Sequence, residues 1–234
     1  NITINATGGS VAGAGQENMG FYMYGGSVII ATGSNHIFIN GTAGPSTGMS
    51  NHGVHMAPNA LIQTQSGNIT IIGDEGLGSN CFGFYGLPQD SIITVTSGDI
   101  EIKANSMSMG CVVKTSNAEQ VFLHPWTANT AIELDNAVDI TDGPLRFTDA
   151  ELDSITTGLL IIGDNQSEDV LIKTLISRTS ATNMELTSNA DVMFNGGLIN
   201  TNAGTLKLTN GAAPDAVFPN TSGTDAMMSM LTID

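Results

Sequence analysis

Isoleucines alternate with polar residues in short bursts along the first hundred positions, and the bursts recur. The chain opens NITIN; residues 34–39 read SNHIFI, residues 66–72 SGNITII and residues 97–103 SGDIEIK. Alternation over four to six residues marks a half-buried strand, with successive side chains on opposite faces. Setting Ile37, Ile69 and Ile100 in one column gives spacings of 32 and 31 residues. Ile39, Ile71 and Ile102 then align, as do Ile30, Ile62 and Ile93 upstream. Ser34, Ser66 and Ser97 fall together, and so do His36, Asn68 and Asp99 just before each burst. Ile2 and Ile4 supply an earlier copy, Ile132 and Leu134 a later one.

A second column begins at Gly20, Gly53, Gly83 and Gly110, heading GFYMY, GVHMA, GFYGL and GCVVK. Each unit thus holds about three short strands separated by Gly, Ser, Asn and Asp turns. Repeats of 20–50 residues signal stacked units that cannot bury a face alone. The pattern predicts an all-β fold: a right-handed parallel β-helix of about three strands and about 30 residues per coil. Ile37, Ile69 and Ile100 stack inside it, as do Ile30, Ile62 and Ile93, with Phe21 over Val54 over Phe84. About eight coils at about 4.8 Å each give a rod of roughly 40 Å. A β-propeller with blades of about 40 residues is the competing architecture; three strands per unit and shrinking loops disfavour it. Residues 1–144 read as regular coils. Residues 145–234 read as a less regular continuation, with a short helical insert near 149–155.

Composition agrees with many short strands joined by polar turns. Charged residues are 12% of the 234, and Gly accounts for 28. Six basic residues face 22 acidic ones, for a net charge of −16. That balance argues against nucleic-acid binding, which needs Lys and Arg, and against anionic lipid. No apolar run reaches the roughly 18–20 residues that span a bilayer, so no membrane insertion is expected. The sequence begins inside a strand phrase, which suggests a section of a longer precursor. Cys81 and Cys111 are placed about three residues out of register, too far apart for a disulfide. Cys111 is expected in the core below Phe84.

Two phrases carry a resemblance. SGNITIIGDEGLGSNCFGF with NHGVHM, and LRFTDAELDSITTGLLIIGD at 145–164, resemble segments of the filamentous haemagglutinin-like family of large bacterial exoproteins. The resemblance covers most of residues 1–175. It implies a right-handed β-helix, export through an outer-membrane two-partner secretion pore, a secreted or cell-surface location, and adhesion. No NPNL-type secretion motif is present, so it implies an interior section.

Candidate chemistry is sparse. The acidic loops GDEG (73–76) and GDNQSED (163–169) offer weak calcium sites at most, without a calcium-loop spacing. His36, His52, His55 and His124 are too far apart in sequence for a paired metal motif. No cofactor is expected. N-x-[ST] sequons begin at Asn1, Asn5, Asn40, Asn68, Asn165 and Asn220. Alternation places Tyr22, His55 and Tyr85 in an outward column, a contact surface for sugar or protein unless loops cover it. Ile29, Leu61 and Ile92 form an apolar column beside the inward one. It either turns inward at a corner or is covered by a neighbour or a second copy. The expected function is a non-enzymatic structural or adhesive solenoid that mediates attachment or fibre formation. Its partners would be a cell-surface glycan or protein, or copies of itself. A polysaccharide lyase or hydrolase on the same fold, and a self-assembling surface scaffold, are the alternatives.

Overall fold

The structure, a computed structural model, describes residues 1–9, 13–137 and 143–210, and the backbone of strands 216–217, 226–227 and 230–233. Apart from one short helix it is all-β, with parallel strands in stacked sheets. A nine-stranded sheet runs the length of the described chain. Its strands are Ile2–Thr7, Ile37–Thr42, Ile69–Asp74, Ile100–Lys103, Gln120–His124, Leu159–Ile162, Asn183–Ser188, Thr205–Asn210 and Met230–Ile233, in sequence order. Between its members the chain visits other sheets. A four-stranded sheet holds Phe21–Met23, Val54–Met56, Phe84–Gly86 and Met107–Met109. A five-stranded sheet holds Val28–Ala31, Leu61–Thr64, Ile92–Val95, Val112–Lys114 and Ile155–Thr156.

The alternating pattern explains the core. Ile37, Ile69, Ile100, Val121, Leu160, Met184 and Leu206 are neighbours strand to strand, and all are buried. Two residues on, Ile39, Ile71, Ile102, Leu123, Ile162, Leu186 and Leu208 make a second buried row. The other sheets add Val54, Phe84 and Met107, then Ile62, Ile93, Val113 and Ile155, to the same cluster. Each such side chain contributes about 1.5–3 kcal/mol by leaving water.

The column His36–Asn68–Asp99 is realised as a side-chain-to-backbone ladder. Asn1 Oδ1 accepts the His36 N–H, and His36 Nδ1 accepts that of Asn68. Asn68 Oδ1 accepts the Asp99 N–H, and Asp99 Oδ1 that of Gln120. Each strand start is tied to the next by a polar side chain of changing identity. In the serine column the backbone stacks, Ser66 N–H donating to Gly33 O and Ser97 N–H to Gln65 O. The Ser97 hydroxyl points elsewhere, to Glu119.

Three expectations are corrected. First, Ile30 is not a core residue. Ile29, not Ile30, pairs with Ile62 and through it with Ile93, while Ile30 pairs with Gln63 and is 49% exposed. The turn 32–36 is one residue longer than the turn 65–68, so a constant offset from Ile37 misplaces the strand Val28–Ala31 by one. Second, the rung after Phe84 is Met107, not a residue after Gly110. Ser106 takes the glycine's place, its Oγ accepting the Gly83 N–H. Cys111 is buried but lies just before the strand Val112–Lys114 that pairs with Ile92–Val95, so Met107 fills the place expected for it. No disulfide joins it to Cys81. Third, Val121 and Leu123, not Ile132 and Leu134, continue the Ile100 row. The loop 75–82 has no counterpart after Lys103, so the repeat contracts to 21 residues there.

In the second half the nine-stranded sheet continues while the sheets beside it change. Ile132–Leu134 and Leu145–Phe147 pair directly and open a new five-stranded sheet with Val170–Ile172, Val192–Phe194 and Ala216–Val217. Leu175–Ser177, Leu198–Asn200 and Ala226–Met227 form a three-stranded sheet. The helix Asp149–Asp153 sits where the four-stranded sheet ends and the three-stranded one begins, touching both. Thr148 and Glu151 cap it reciprocally. Its acids also bind backbone on either side: Glu151 accepts the Met109 N–H, Asp149 that of Ser177 and Asp153 that of Thr179.

Candidate functional site

Strand register builds the outward aromatic column as expected. Tyr22 pairs with His55 and His55 with Tyr85; Ser108 follows. The ring centroids of Tyr22 and His55 are 4.8 Å apart, those of His55 and Tyr85 5.0 Å. Exposure changes along the column. Tyr22 is 46% exposed, Tyr85 is half-buried, and His55 is buried. The long loops of the early repeats fold over its middle. His52 stacks on Tyr85 at 4.4 Å, and Phe82 packs on the same ring at 5.3 Å. His52 Nδ1 accepts the Phe82 N–H, and His55 Nδ1 lies 3.3 Å from Met19 Sδ. Burial holds both imidazoles neutral, with pKa values of about 4, and each stands beside the other. Tyr22 and Tyr24 remain the open end of the cluster.

Asn51 organises the covering loops and was not visible as a site residue in the sequence. It is fully buried, accepts the Asn18 N–H on Oδ1, and donates through Nδ2 to Gly48 O and Ser46 O. Its own N–H reaches Cys81 Sγ. Three loops about 30 residues apart thus meet at one amide.

The apolar column is outward, but its first member is Val28. Val28 pairs with Leu61, Leu61 with Ile92, and Ile92 with Val112. Ile29 turns inward and packs against the core, a correction with the same one-residue cause as Ile30. Val28 and Val112 are exposed and Leu61 and Ile92 half-buried, so no corner takes this row inside.

A charged cluster forms on the outer face of the nine-stranded sheet. His124 is buried between two carboxylates, with Nδ1 2.7 Å from Asp164 Oδ2 and Nε2 3.1 Å from Glu101 Oε1. The His124 bond, aided by Lys103, draws the Glu101 carboxyl down to about 2. The three residues are 23 and 40 positions apart. Extending the Ile100 column to Val121 in the sequence would have brought Lys103 and His124 together.

The acidic loop 163–169 is engaged in its own turn. Asp164 Oδ1 accepts from Gln166 N–H, Ser167 N–H and Ser167 Oγ–H. Among the described residues no group of three His, Cys, Asp or Glu side chains is placed to hold a metal ion, and no helix is long and apolar enough to cross a membrane. Five of the six basic residues pair with carboxylates; Glu133 lies between Arg146 and Lys173, 2.9 Å from Arg146 Nε. The sequon at Asn220 lies outside the described residues. Comparison with protein-family models, with curated proteins and with solved structures finds no match to this chain.

Proposed function

We propose that the chain is a section of a right-handed parallel β-solenoid serving as a non-enzymatic, adhesive part of a large secreted bacterial surface protein. One observation carries the reading. Two rows of aliphatic side chains continue through parallel strands from Ile37 to Leu206 and from Ile39 to Leu208. Stacked repeats of this kind make a stiff element whose loops vary without disturbing the core. The resemblance of its phrases to haemagglutinin-like exoproteins supports surface location and export through an outer-membrane pore. The open aromatic end at Tyr22 and Tyr24 supports contact with a cell-surface glycan or protein. The test is binding of the purified chain to immobilised host cells and glycans, with released reducing ends followed in parallel. Saturable binding without release supports the reading. Release of oligosaccharides without retention would replace it with the lyase or hydrolase reading.

The outward row Val28–Leu61–Ile92–Val112 favours a second reading, a scaffold that associates with its own kind. Light scattering on the chain and on Leu61→Lys/Ile92→Lys separates the two. Association lost in the double variant supports the scaffold. A wild-type monomer at high concentration leaves the single rod.

A further inference from the structure

The outer face of the nine-stranded sheet carries a second feature, apart from the aromatic column. The row Thr3, Phe38, Thr70, Glu101, Phe122, Ile161 runs outward between the two buried rows. Thr70 and Glu101 are shorter or more polar than the flanking phenylalanines, and a depression of about 180 Å³ opens above them. Its lining is Asn68, Ile69, Thr70, Asp99, Glu101 and Phe122. The volume falls below the roughly 300–1,000 Å³ of sites that enclose drug-sized ligands, so it suits one small ring.

The polar groups of this depression are held in place and only half used. Asn68 Oδ1 accepts the Asp99 N–H, and Asp99 Oδ1 the Gln120 N–H. Glu101 Oε1 is fixed by Lys103 and by His124, which Asp164 holds from behind. Among the described residues no hydrogen bond engages Asn68 Nδ2, Asp99 Oδ2, Glu101 Oε2 or the Thr70 hydroxyl. The site therefore offers two carboxylate acceptors, an amide donor and a hydroxyl beside the ring of Phe122. Carboxylate oxygens take hydroxyl donors, and an aromatic wall takes an apolar C–H face. The two carboxylates and the net charge of −16 repel uronates, phosphates and sulfates. Two outward oxygens are too few for a calcium ion, which takes six to eight.

We infer that this depression binds a single uncharged hexopyranose unit, with Phe122 against the ring face and Asp99 and Glu101 accepting its hydroxyls. The inference deepens the adhesive reading and rests on it for biological meaning, but the site is testable alone. Thr70, Glu101 and Phe122 lie side by side on three successive strands, so the ring spans them with its C–H face on Phe122 and its hydroxyls toward Asp99 and Glu101. A ligand of this size gives millimolar affinity, which avidity along a multivalent surface raises.

The test is amide chemical-shift titration of the intact chain with methyl α-D-glucopyranoside, methyl β-D-galactopyranoside, methyl α-D-mannopyranoside and glucuronate. Saturable shifts confined to Thr70, Asp99, Glu101 and Phe122 are expected with at least one neutral hexoside and not with glucuronate. Phe122→Ala should weaken binding about tenfold or more. Asp99→Asn keeps the acceptor for Gln120 N–H and replaces the outward oxygen with a donor, the arrangement Asn68 already has one strand away. It should lose binding while leaving the spectrum otherwise unchanged. Shifts with none of the neutral hexosides, equal shifts with glucuronate, or shifts unaltered in both variants would overturn the site. Cell binding by the wild type that is unchanged in Asp99→Asn, with no hexoside titration, removes the site and leaves adhesion. Hexoside binding without cell binding keeps the site and removes adhesion.

Discussion

At the residue scale the core rows and the buried imidazoles give the firmest expectations. Ile69 is fully buried between Ile37 and Ile100. Ile69→Ala should therefore cost about 2–5 kcal/mol in a urea unfolding experiment, since neighbouring strands fix both sides of the cavity. A cost below about 1 kcal/mol would place Ile69 outside a rigid core. His52 and His55 titrate near 4 in the folded chain and near 6.5 when exposed. Below pH 6.5 the unfolded chain binds protons that the folded chain refuses. Stability is therefore fully present above 6.5 and falls as pH drops toward 4. The urea midpoint of the wild type should fall across that window, and that of His52→Phe/His55→Phe should stay flatter. Identical slopes would show that the imidazoles are solvated. Alternation alone identified Ile37, Ile69 and Ile100 as buried. It failed at Ile30, because an added residue in the turn 32–36 leaves no trace in the hydrophobic pattern.

At the scale of elements, strands were legible and their partners less so. A strand announces its inward face through period two, whereas its neighbour depends on loop lengths in between. Three early repeats keep nearly equal length, so Ile37, Ile69 and Ile100 were matched directly. The loss of the loop after Lys103 breaks that spacing at Val121 and, with it, hides the meeting of Lys103 with His124. The helix Asp149–Asp153 was legible from DAELD because its cap and its acids are local. Its position between two sheets was not, because Ser177 and Met109 lie far along the chain. Thr148→Ala removes the side chain that accepts the Glu151 N–H. It should cost about 0.5–2 kcal/mol. Hydrogen exchange should locate the loss at 149–156 and at the Met109 amide, while the Ile69–Asp74 strand stays protected. Uniform deprotection would mean that the helix is not a separate joint between sheets.

At the scale of the molecule, function follows from length and surface. Aliphatic rows that continue through many strands leave the outer faces to vary, and variation is visible there: aromatic at Tyr22, apolar at Leu61, charged at Lys103 and Glu101. Those outward columns were legible wherever the register was right. The depression beside Phe122 was not, because its residues come from three repeats of unequal length. In a linear stack the distance grows evenly from strand to strand, so that distance is the direct measurement. Spin labels at Thr3 and, in turn, at Phe122, Ile161, Glu185 and Lys207, with Cys81 and Cys111 replaced, all lie on one outward row. Pulsed dipolar spectroscopy should give separations rising by about 4.8 Å per strand, near 19, 24, 29 and 34 Å before linker corrections. Separations that level off or shorten across the series would describe a closed or folded-back arrangement and contradict the stack.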